Sequence, residues 1–205
     1  MNARRFPTWP VRYVAEPAHP LLHPVLASRW SPTAFDGVAT VNLDEVDSLL
    51  EAARWSPSAG NSQPWAFIVG RRGEPEHHRL TRHLTESSQA WAPSAGLLIA
   101  NLSHRLIENT DWEFSEFSTY DLGQAVAHMT FQAQFLGLSV RQFRAFDRAG
   151  LTAEFDVPPH WEVTTMSAIG RVPTAVGPHA TTTRTTRQRR PTSDVRWRQR
   201  TVGDR

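Results

Sequence analysis

Two short apolar runs constrain the fold of this chain most strongly. They are WAFIVG at 65–70 and GLLIANL at 96–102. Each has the length of a buried strand and is too short for a buried helix. Amphipathic helical patterns precede, separate and follow them, and this predicts an α+β domain whose helices cover a sheet of about four or five strands.

The clearest helical pattern follows the second run. Its apolar positions recur every three or four residues until Gly137 ends the pattern. Ser118 with Asp121 three residues later predicts a capping box at its start, and Asn42 with Glu45 predicts another at the start of an earlier helix. Weaker patterns predict helices near 24–30, 74–84 and 147–155, and strands at 139–143 and 163–169.

Composition divides the chain into three parts. Prolines in residues 1–20 favour an extended N-terminal arm, residues 21–172 form the folded domain, and residues 173–205 lack periodicity. The last segment is a basic tail: residues 178–205 hold eight Arg against two Asp, whereas the chain as a whole has a net charge of +2. Such a tail suits a polyanion, either nucleic acid or an acidic membrane surface. Nucleic acid is disfavoured because Trp197 is the one aromatic residue there.

The absence of Cys and Lys excludes several functional classes. Without Cys there is no disulfide framework, cysteine-ligated zinc, iron–sulfur cluster or thiol nucleophile, and without Lys there is no Schiff base or lysine-dependent phosphate loop. His77, His78 and His83 lack the spacing of a helical metal pair, so we expect exposed side chains on a surface helix and no metal site. No apolar run is long enough to span a membrane and no signal-peptide pattern is present, which predicts a cytoplasmic protein.

Two polar segments are candidate binding elements. In an extended stretch Arg29, Ser31 and Thr33 point to one side, and a guanidinium with two hydroxyls suits a phosphate; a turn capped by Ser31 is the alternative. The proline-bracketed loop at 56–64 displays Ser58, Asn61 and Gln63. Its uncharged donors and acceptors suit a heteroaromatic ring, and an ordinary turn is the alternative.

At these residues the chain resembles the FMN-dependent nitroreductase-like flavoproteins. The likeness covers most of residues 20–171 and is most specific in the loop from Pro57 to Trp65. It includes further short matches at Trp91-Ala92-Pro93, Tyr120-Asp121-Leu122-Gly123-Gln124, Leu136-Gly137-Leu138, Phe146-Asp147 and Ala168-Ile169-Gly170.

The resemblance implies a three-layer α/β/α homodimer with a central mixed sheet and FMN at the dimer interface. Arg29 and Ser31 would hold the phosphate together with a cation from the extended tail at 173–205, which would cross the dimer. Arg190 is the first choice for this cation, and Arg189 and Arg187 are neighbours. The remaining implied FMN contacts are Thr33, Pro57, Ser58, Asn61, Gln63, Arg144 and Ala145. Of these, Pro57, Ser58 and Asn61 would come from the partner subunit.

Two positions depart from the family pattern. Thr33 replaces a cation that family members commonly place near flavin N1 and O2, and its hydroxyl is expected to lower the reduction potential unless another Arg compensates. Ala145 replaces a residue that is often Gly, so its Cβ would crowd the ring. Both changes bear on activity more than on FMN binding.

The resemblance implies a ping-pong oxidoreductase. NAD(P)H would deliver hydride to flavin N5 and leave, and a small organic acceptor would take its place, with no protein acid or base required. Trp112, Phe114 and Phe117 would form an apolar lid over the acceptor or else pack in the core. The alternatives are a flavin-dependent dehydrogenase of a biosynthetic intermediate and a non-enzymatic flavin-binding protein.

Overall fold

The computed structural model describes residues 21–173, 189 and 195–197. The predicted N-terminal arm and most of the predicted tail lie outside the described residues. The helices are α1 (Pro24–Ser28), α2 (Leu43–Arg54), α3 (Pro75–Arg82), α4 (Glu86–Gln89), α5 (Ser118–Phe135) and α6 (Arg148–Glu154). The strands are β1 (Trp65–Arg71), β2 (Leu97–His104), β3 (Ser139–Phe143) and β4 (Trp161–Gly170). Each predicted helix and strand is confirmed with ends within two residues, and α4 was not predicted.

The two predicted capping boxes have different outcomes. At α2 the box is confirmed: Asn42 Oδ1 accepts from the Glu45 amide at 2.8 Å, and Glu45 Oε2 accepts from the Asn42 amide at 2.9 Å. At α5 the prediction is wrong, because the N-cap residue is Phe117 and no side chain caps the helix there. A turn at Ser115 brings the chain into α5 one residue earlier, so the Asp121 carboxylate is left to bind elsewhere.

The expected α+β fold is confirmed, but the sheet of the described residues is antiparallel rather than mixed. Its order is β1-β2-β4-β3, and every pair of neighbours runs antiparallel. The crossover through α5 makes β2 and β3 run in the same direction. Since β4 lies between them, these two parallel strands are never neighbours.

Helices cover both faces of the sheet and produce the three expected layers. On one face α2 and α5 pack against alternate residues of β2 such as Leu97 and Ile99. On the other face α3 and α6 pack against Leu98 and Ala100. Because β2 is buried on both faces, its sequence is a continuous apolar run rather than an alternating one.

Helix α3 is only partly a surface helix. His77 is 3% exposed and faces the sheet, whereas its neighbour His78 is exposed. The expectation that all three histidines of this region are exposed is therefore wrong for His77 and for His83, whose side chain is 16% exposed. The cause is the helical period: His77 and Leu80 lie three residues apart on the buried face. Among the helices of the described residues, none has the length and apolar character needed to cross a membrane.

Candidate functional site

A cavity of about 440 Å³ lies between the end of α1, the middle of α5 and the edge strand β3. Three of the predicted phosphate-binding residues line it: Arg29, Ser31 and Arg189. Arg29 leaves α1 with extended backbone, at φ −60° and ψ 132°, so its side chain and that of Ser31 both reach the cavity. The other lining residues are Leu26, Ala127, Thr130, Phe131, Val140 and Gln142.

Positive charge converges in this cavity. Burial lowers the pKa of the Arg29 guanidinium, and the charge of Arg189 lowers it further. Arg29 Nη1 also donates to Ser31 Oγ at 3.3 Å. Two guanidinium groups that disfavour each other's charge are stabilised by an anion between them, and an Arg fork matches phosphate geometry. The cavity is therefore suited to a phosphate.

Two polar residues of the cavity escaped the sequence analysis. Thr130 on α5 donates its hydroxyl to the Val126 carbonyl at 2.7 Å, and Gln142 Nε2 on β3 donates to Thr130 Oγ1 at 3.3 Å. The sequence signal for these two residues is weak. Thr130 is a single Thr among apolar positions of α5, and Gln142 occupies an exposed position of a strand whose side chains alternate between its two faces.

Thr33 does not line the cavity. A cation, Arg141, contacts the residue that precedes Thr33. The guanidinium of Arg141, on β3, contacts the carbonyl of Pro32 at 3.5 Å and lies 4.8 Å from the centre of the Trp91 ring. Burial lowers the pKa of Arg141. A positive charge therefore adjoins the position where the resemblance expects one, although it comes from another strand.

The predicted loop before β1 has an unusual backbone. Gly60, Asn61 and Gln63 have positive φ angles of 59°, 56° and 48°. Side chains of the loop hold this shape, because Ser58 Oγ accepts from the Gln63 amide at 3.0 Å and Gln63 Nε2 donates to Asn61 Oδ1 at 3.2 Å. Pro57, Asn61 and Gln63 are exposed, so the loop presents its amides to solvent as the sequence predicts.

A buried carboxylate at the start of α5 accepts a hydrogen bond from the backbone of the same loop. Asp121 is 2% exposed, and its Oδ2 accepts from the amide of Ala59 at 3.0 Å. Its other oxygen accepts from Gln124 Nε2 at 3.3 Å. Residue Asp121 belongs to the first turn of α5, where the helix dipole stabilises negative charge.

The segment after β3 does not line the cavity either. Arg144 Nη1 donates to the Phe146 carbonyl at 3.2 Å. The carbonyl of Ala145 accepts from the Ser88 hydroxyl at 2.5 Å and from the Thr85 amide at 3.2 Å. The last two bonds fix the backbone of Ala145 against the start of α4. Of the predicted tail residues, Arg189 lies in the cavity, and Arg187 and Arg190 lie outside the described residues.

One chain thus brings together only part of the predicted set. Arg29, Ser31 and Arg189 share the cavity beside β3, whereas the loop precedes β1 at the opposite edge of the sheet. Three strand spacings, or about 14 Å, separate the two edge strands. None of Pro57, Ser58, Asn61 and Gln63 is among the residues that line the cavity.

The three residues of the predicted aromatic lid have different environments: two are exposed to solvent, and Phe114 stacks on other rings. Trp112 and Phe117 are 75% and 47% exposed, so the core alternative is wrong for both. Phe114 stacks on His104 at 3.9 Å, and Trp161 stacks on His104 at 4.7 Å. The His104 amide donates to the Pro64 carbonyl at 3.0 Å, which places this aromatic segment next to the loop. No group of side chains suited to a metal ion occurs within the part of the chain that the structure describes.

Comparison with known proteins gives a consistent picture. A model of the Nitroreductase family matches residues 26–113. A relative from Streptomyces coelicolor, provisionally named an NADH dehydrogenase/NAD(P)H nitroreductase, is 29% identical over 140 residues, which is 60% of this chain and 69% of that protein. The major NAD(P)H-flavin oxidoreductase of Aliivibrio fischeri is 43% identical over 51 residues, or 25% of this chain and 23% of that protein.

A solved structure described as an oxidoreductase containing FMN superimposes with a TM-score of 0.78 and 26% identity. The alignment covers 94% of this chain and 96% of that one. It therefore extends the similarity well beyond residues 26–113.

Proposed function

We propose that the chain belongs to the nitroreductase family and is an FMN-dependent oxidoreductase that takes electrons from NAD(P)H and passes them to a small organic acceptor. The observation that supports this most directly is the convergence of Arg29, Ser31 and Arg189 in one cavity. Burial and the charge of Arg189 both lower the pKa of Arg29, and an anionic ligand in the cavity would offset both effects.

The residues present suit FMN. Its phosphate would accept hydrogen bonds from the guanidinium groups of Arg29 and Arg189 and from the hydroxyl of Ser31. Gln142 keeps a second amide hydrogen after its bond to Thr130, and this hydrogen is available to the same ligand. When bound, FMN supplies the hydride-accepting and hydride-donating chemistry, which no protein side chain provides.

The ring of the cofactor would lie against neutral groups. Ser58, Asn61 and Gln63 would provide donors and acceptors from the loop before β1, with Pro57 at its edge, and the backbone at Arg144 and Ala145 would contact the ring as well. Thr33 contributes a hydroxyl where a cation is common, and Arg141 offers a positive charge 3.5 Å from the neighbouring carbonyl. Together these groups orient the ring and set how well the site tolerates negative charge.

We place the loop and the cavity of one site in two different chains of a homodimer. The loop lies at the edge of the sheet opposite the cavity and exposes the side chains assigned to the cofactor. A symmetric pair of chains would bring the loop of each to the cavity of the other and so form two equivalent sites. Arg189 of the tail would then bind the phosphate group of FMN together with Arg29 and Ser31.

We assign a ping-pong order to the reaction. The nicotinamide donor and the acceptor would occupy the same open face of the site in turn. Trp112 and Phe117 expose aromatic surface, and they would shield that face from water and favour planar ligands. A cytoplasmic location agrees with an NAD(P)H donor.

Flavin binding and reduction test this proposal. The purified full-length protein, supplied with FMN, is expected to quench flavin fluorescence on binding and to bleach on anaerobic mixing with NADPH or NADH. Arg29→Ala is expected to weaken FMN binding, whereas Arg82→Ala, which removes a 62% exposed guanidinium on α3, serves as the control for loss of charge. Failure to bind FMN would overturn the proposal, and binding without bleaching would instead indicate a storage protein.

A further inference from the structure

The loop before β1 is held in a conformation that its sequence does not favour. Two of its positive φ angles belong to Asn61 and Gln63, at 56° and 48°. Side chains with a Cβ adopt this left-handed region at a cost, and such residues persist only where surrounding groups fix them. Ser58 stabilises this conformation from within the loop by accepting the Gln63 amide. We expect the rest of the stabilisation to come from residues that pack against the loop.

Asp121 is the group beneath the loop. It lies 62 residues away along the chain, and its Oδ2 receives the Ala59 amide at 3.0 Å, one residue before the first positive φ angle. Because Asp121 is 2% exposed, water competes little for this hydrogen bond. Its second oxygen is held by Gln124 one turn along the same helix, which fixes the orientation of the carboxylate.

We propose that Asp121 is a positioning residue that holds the loop from Pro57 to Trp65 in its ligand-binding conformation through the amide of Ala59. The inference depends on the proposed function for the identity of the ligand, but the hold on the loop is independent of it. In this role Asp121 does not contact the ligand. It acts by presetting the backbone on which Asn61 and Gln63 are displayed, which lowers the entropy lost on binding.

Amide hydrogen exchange tests the hold directly. In the unmodified protein the Ala59 amide is expected to exchange at least tenfold slower than an unprotected amide, although Ala59 itself is exposed. Asp121→Ala is expected to speed exchange about tenfold or more within the loop, while β2 keeps its protection. Gln124→Ala is the matched control: it removes the other partner of the carboxylate and leaves the loop bond, so loop exchange should stay within about threefold of the unmodified protein.

The conservative variant and FMN affinity complete the test. Asp121→Asn keeps an acceptor oxygen for Ala59 and should restore most of the loop protection, and it also serves if Asp121→Ala does not fold. FMN dissociation constants, measured by fluorescence, are expected to rise about tenfold in Asp121→Ala and much less in Asp121→Asn.

The outcomes separate this inference from the proposed function. An unprotected Ala59 amide in the unmodified protein, or a loss of protection spread equally over β2 and α5 in Asp121→Ala, would overturn the hold on the loop. A loosened loop with unchanged FMN affinity would overturn its role in binding while leaving the FMN function intact. Absence of FMN binding in the unmodified protein would overturn the proposed function. The difference in loop hydrogen exchange between Asp121→Ala and Gln124→Ala would still show whether Asp121 holds the loop.

Discussion

The backbone nitrogen of His77 occupies the space that a side chain on Gly70 would need. A Cβ built at Gly70 would lie 2.6 Å from that nitrogen and 2.8 Å from the His77 Cα. Helix α3 therefore packs directly on strand β1, with no side chain between their backbones. Backbone atoms cannot rotate away, so this contact fixes the distance between the helix and the sheet.

Gly70→Ala is expected to destabilise the protein by about 1–3 kcal/mol, because the helix must shift to admit the methyl group. The matched control is Gly123→Ala on α5, where a Cβ would meet nothing within 4 Å. That change should stabilise the protein by about 0.5–1 kcal/mol through helix propensity. Urea unfolding measures both, and equal effects at the two positions would contradict the packing argument.

His77 is expected to make stability depend on pH. Burial lowers its pKa, the charge of His78 lowers it further, and a hydrogen bond with the Ala95 backbone partly opposes both effects. As pH falls below the ordinary histidine range, the unfolded chain takes up a proton before the folded chain does, so the folded state loses stability. The slope that this one site adds cannot exceed about 1.4 kcal/mol per pH unit.

Replacement of the two histidines in turn isolates this effect. His77→Asn is expected to flatten the fall in the free energy of unfolding between pH 7 and pH 5. His78→Asn, at the exposed neighbour, should leave most of the fall in place. Identical curves for both variants would show that the dependence arises elsewhere in the protein.

Arg189 is predicted to contribute to FMN affinity. Arg189→Ala removes one guanidinium from the cavity that also contains Arg29, and a charge-assisted hydrogen bond is worth about 1.5–3 kcal/mol, or roughly 10- to 150-fold in affinity. Arg196→Ala removes an exposed tail charge and is the control. Fluorescence titration at two salt concentrations measures both, and equal weakening would assign the effect to the overall charge of the tail.

Thr33→Arg is predicted to raise the reduction potential of the bound flavin. A cation added beside the ring stabilises the reduced, more negative form, and a tenfold change in the equilibrium of a two-electron couple corresponds to about 30 mV. Arg141 already lies next to Pro32, so its removal in Arg141→Gln should lower the potential if it serves the same role. Dye-coupled spectrophotometric reduction measures both variants, and an unchanged Arg141→Gln would assign its charge to packing on Trp91.

A shared site predicts complementation between two defective chains. Arg29→Ala damages the cavity and Asn61→Ala damages the loop, so each variant alone should bind FMN weakly. If the two halves come from different chains, mixed dimers contain one intact site, and random re-association restores roughly a quarter of all sites. FMN binding before and after mixing, with the oligomeric state measured by light scattering, gives the result. No recovery in proven mixed dimers would place the whole site in one chain.

Local pattern was enough to predict the helices and strands of this fold except α4, and it singled out Arg29 and Ser31, which share the cavity beside β3. Apolar period identified β2 and α5, and the reciprocal side chains of Asn42 and Glu45 identified the start of α2, because those interactions span only a few residues. The position of β4 between β2 and β3 was not predictable in this way. It depends on which strand pairs with Leu97, and that partner is Ile169, far along the chain.

The roles of His77, Thr130 and Asp121 escaped sequence reasoning for the same reason. A capping box at Ser118 and Asp121 was the simplest local interpretation, yet the carboxylate binds an amide 62 residues away. His77 looked exposed because its neighbours in sequence are polar, and only packing against Gly70 shows that it is buried. For His77 and Asp121 the outcome depends on which distant backbone lies against the side chain, and for Thr130 it depends on the packing of α5 beside Gln142 of β3.

The insertion of β4 also determines how this chain must fold as it is synthesised. Two of the three ladders of the described sheet, β2 with β4 and β3 with β4, wait for the strand that is made last among the four. Until residues 161–170 are available, β2 is an apolar strand with one unpaired edge, which is a template for wrong pairing. We expect slow folding with high contact order, and an aggregation hazard concentrated in nascent chains that end before Trp161.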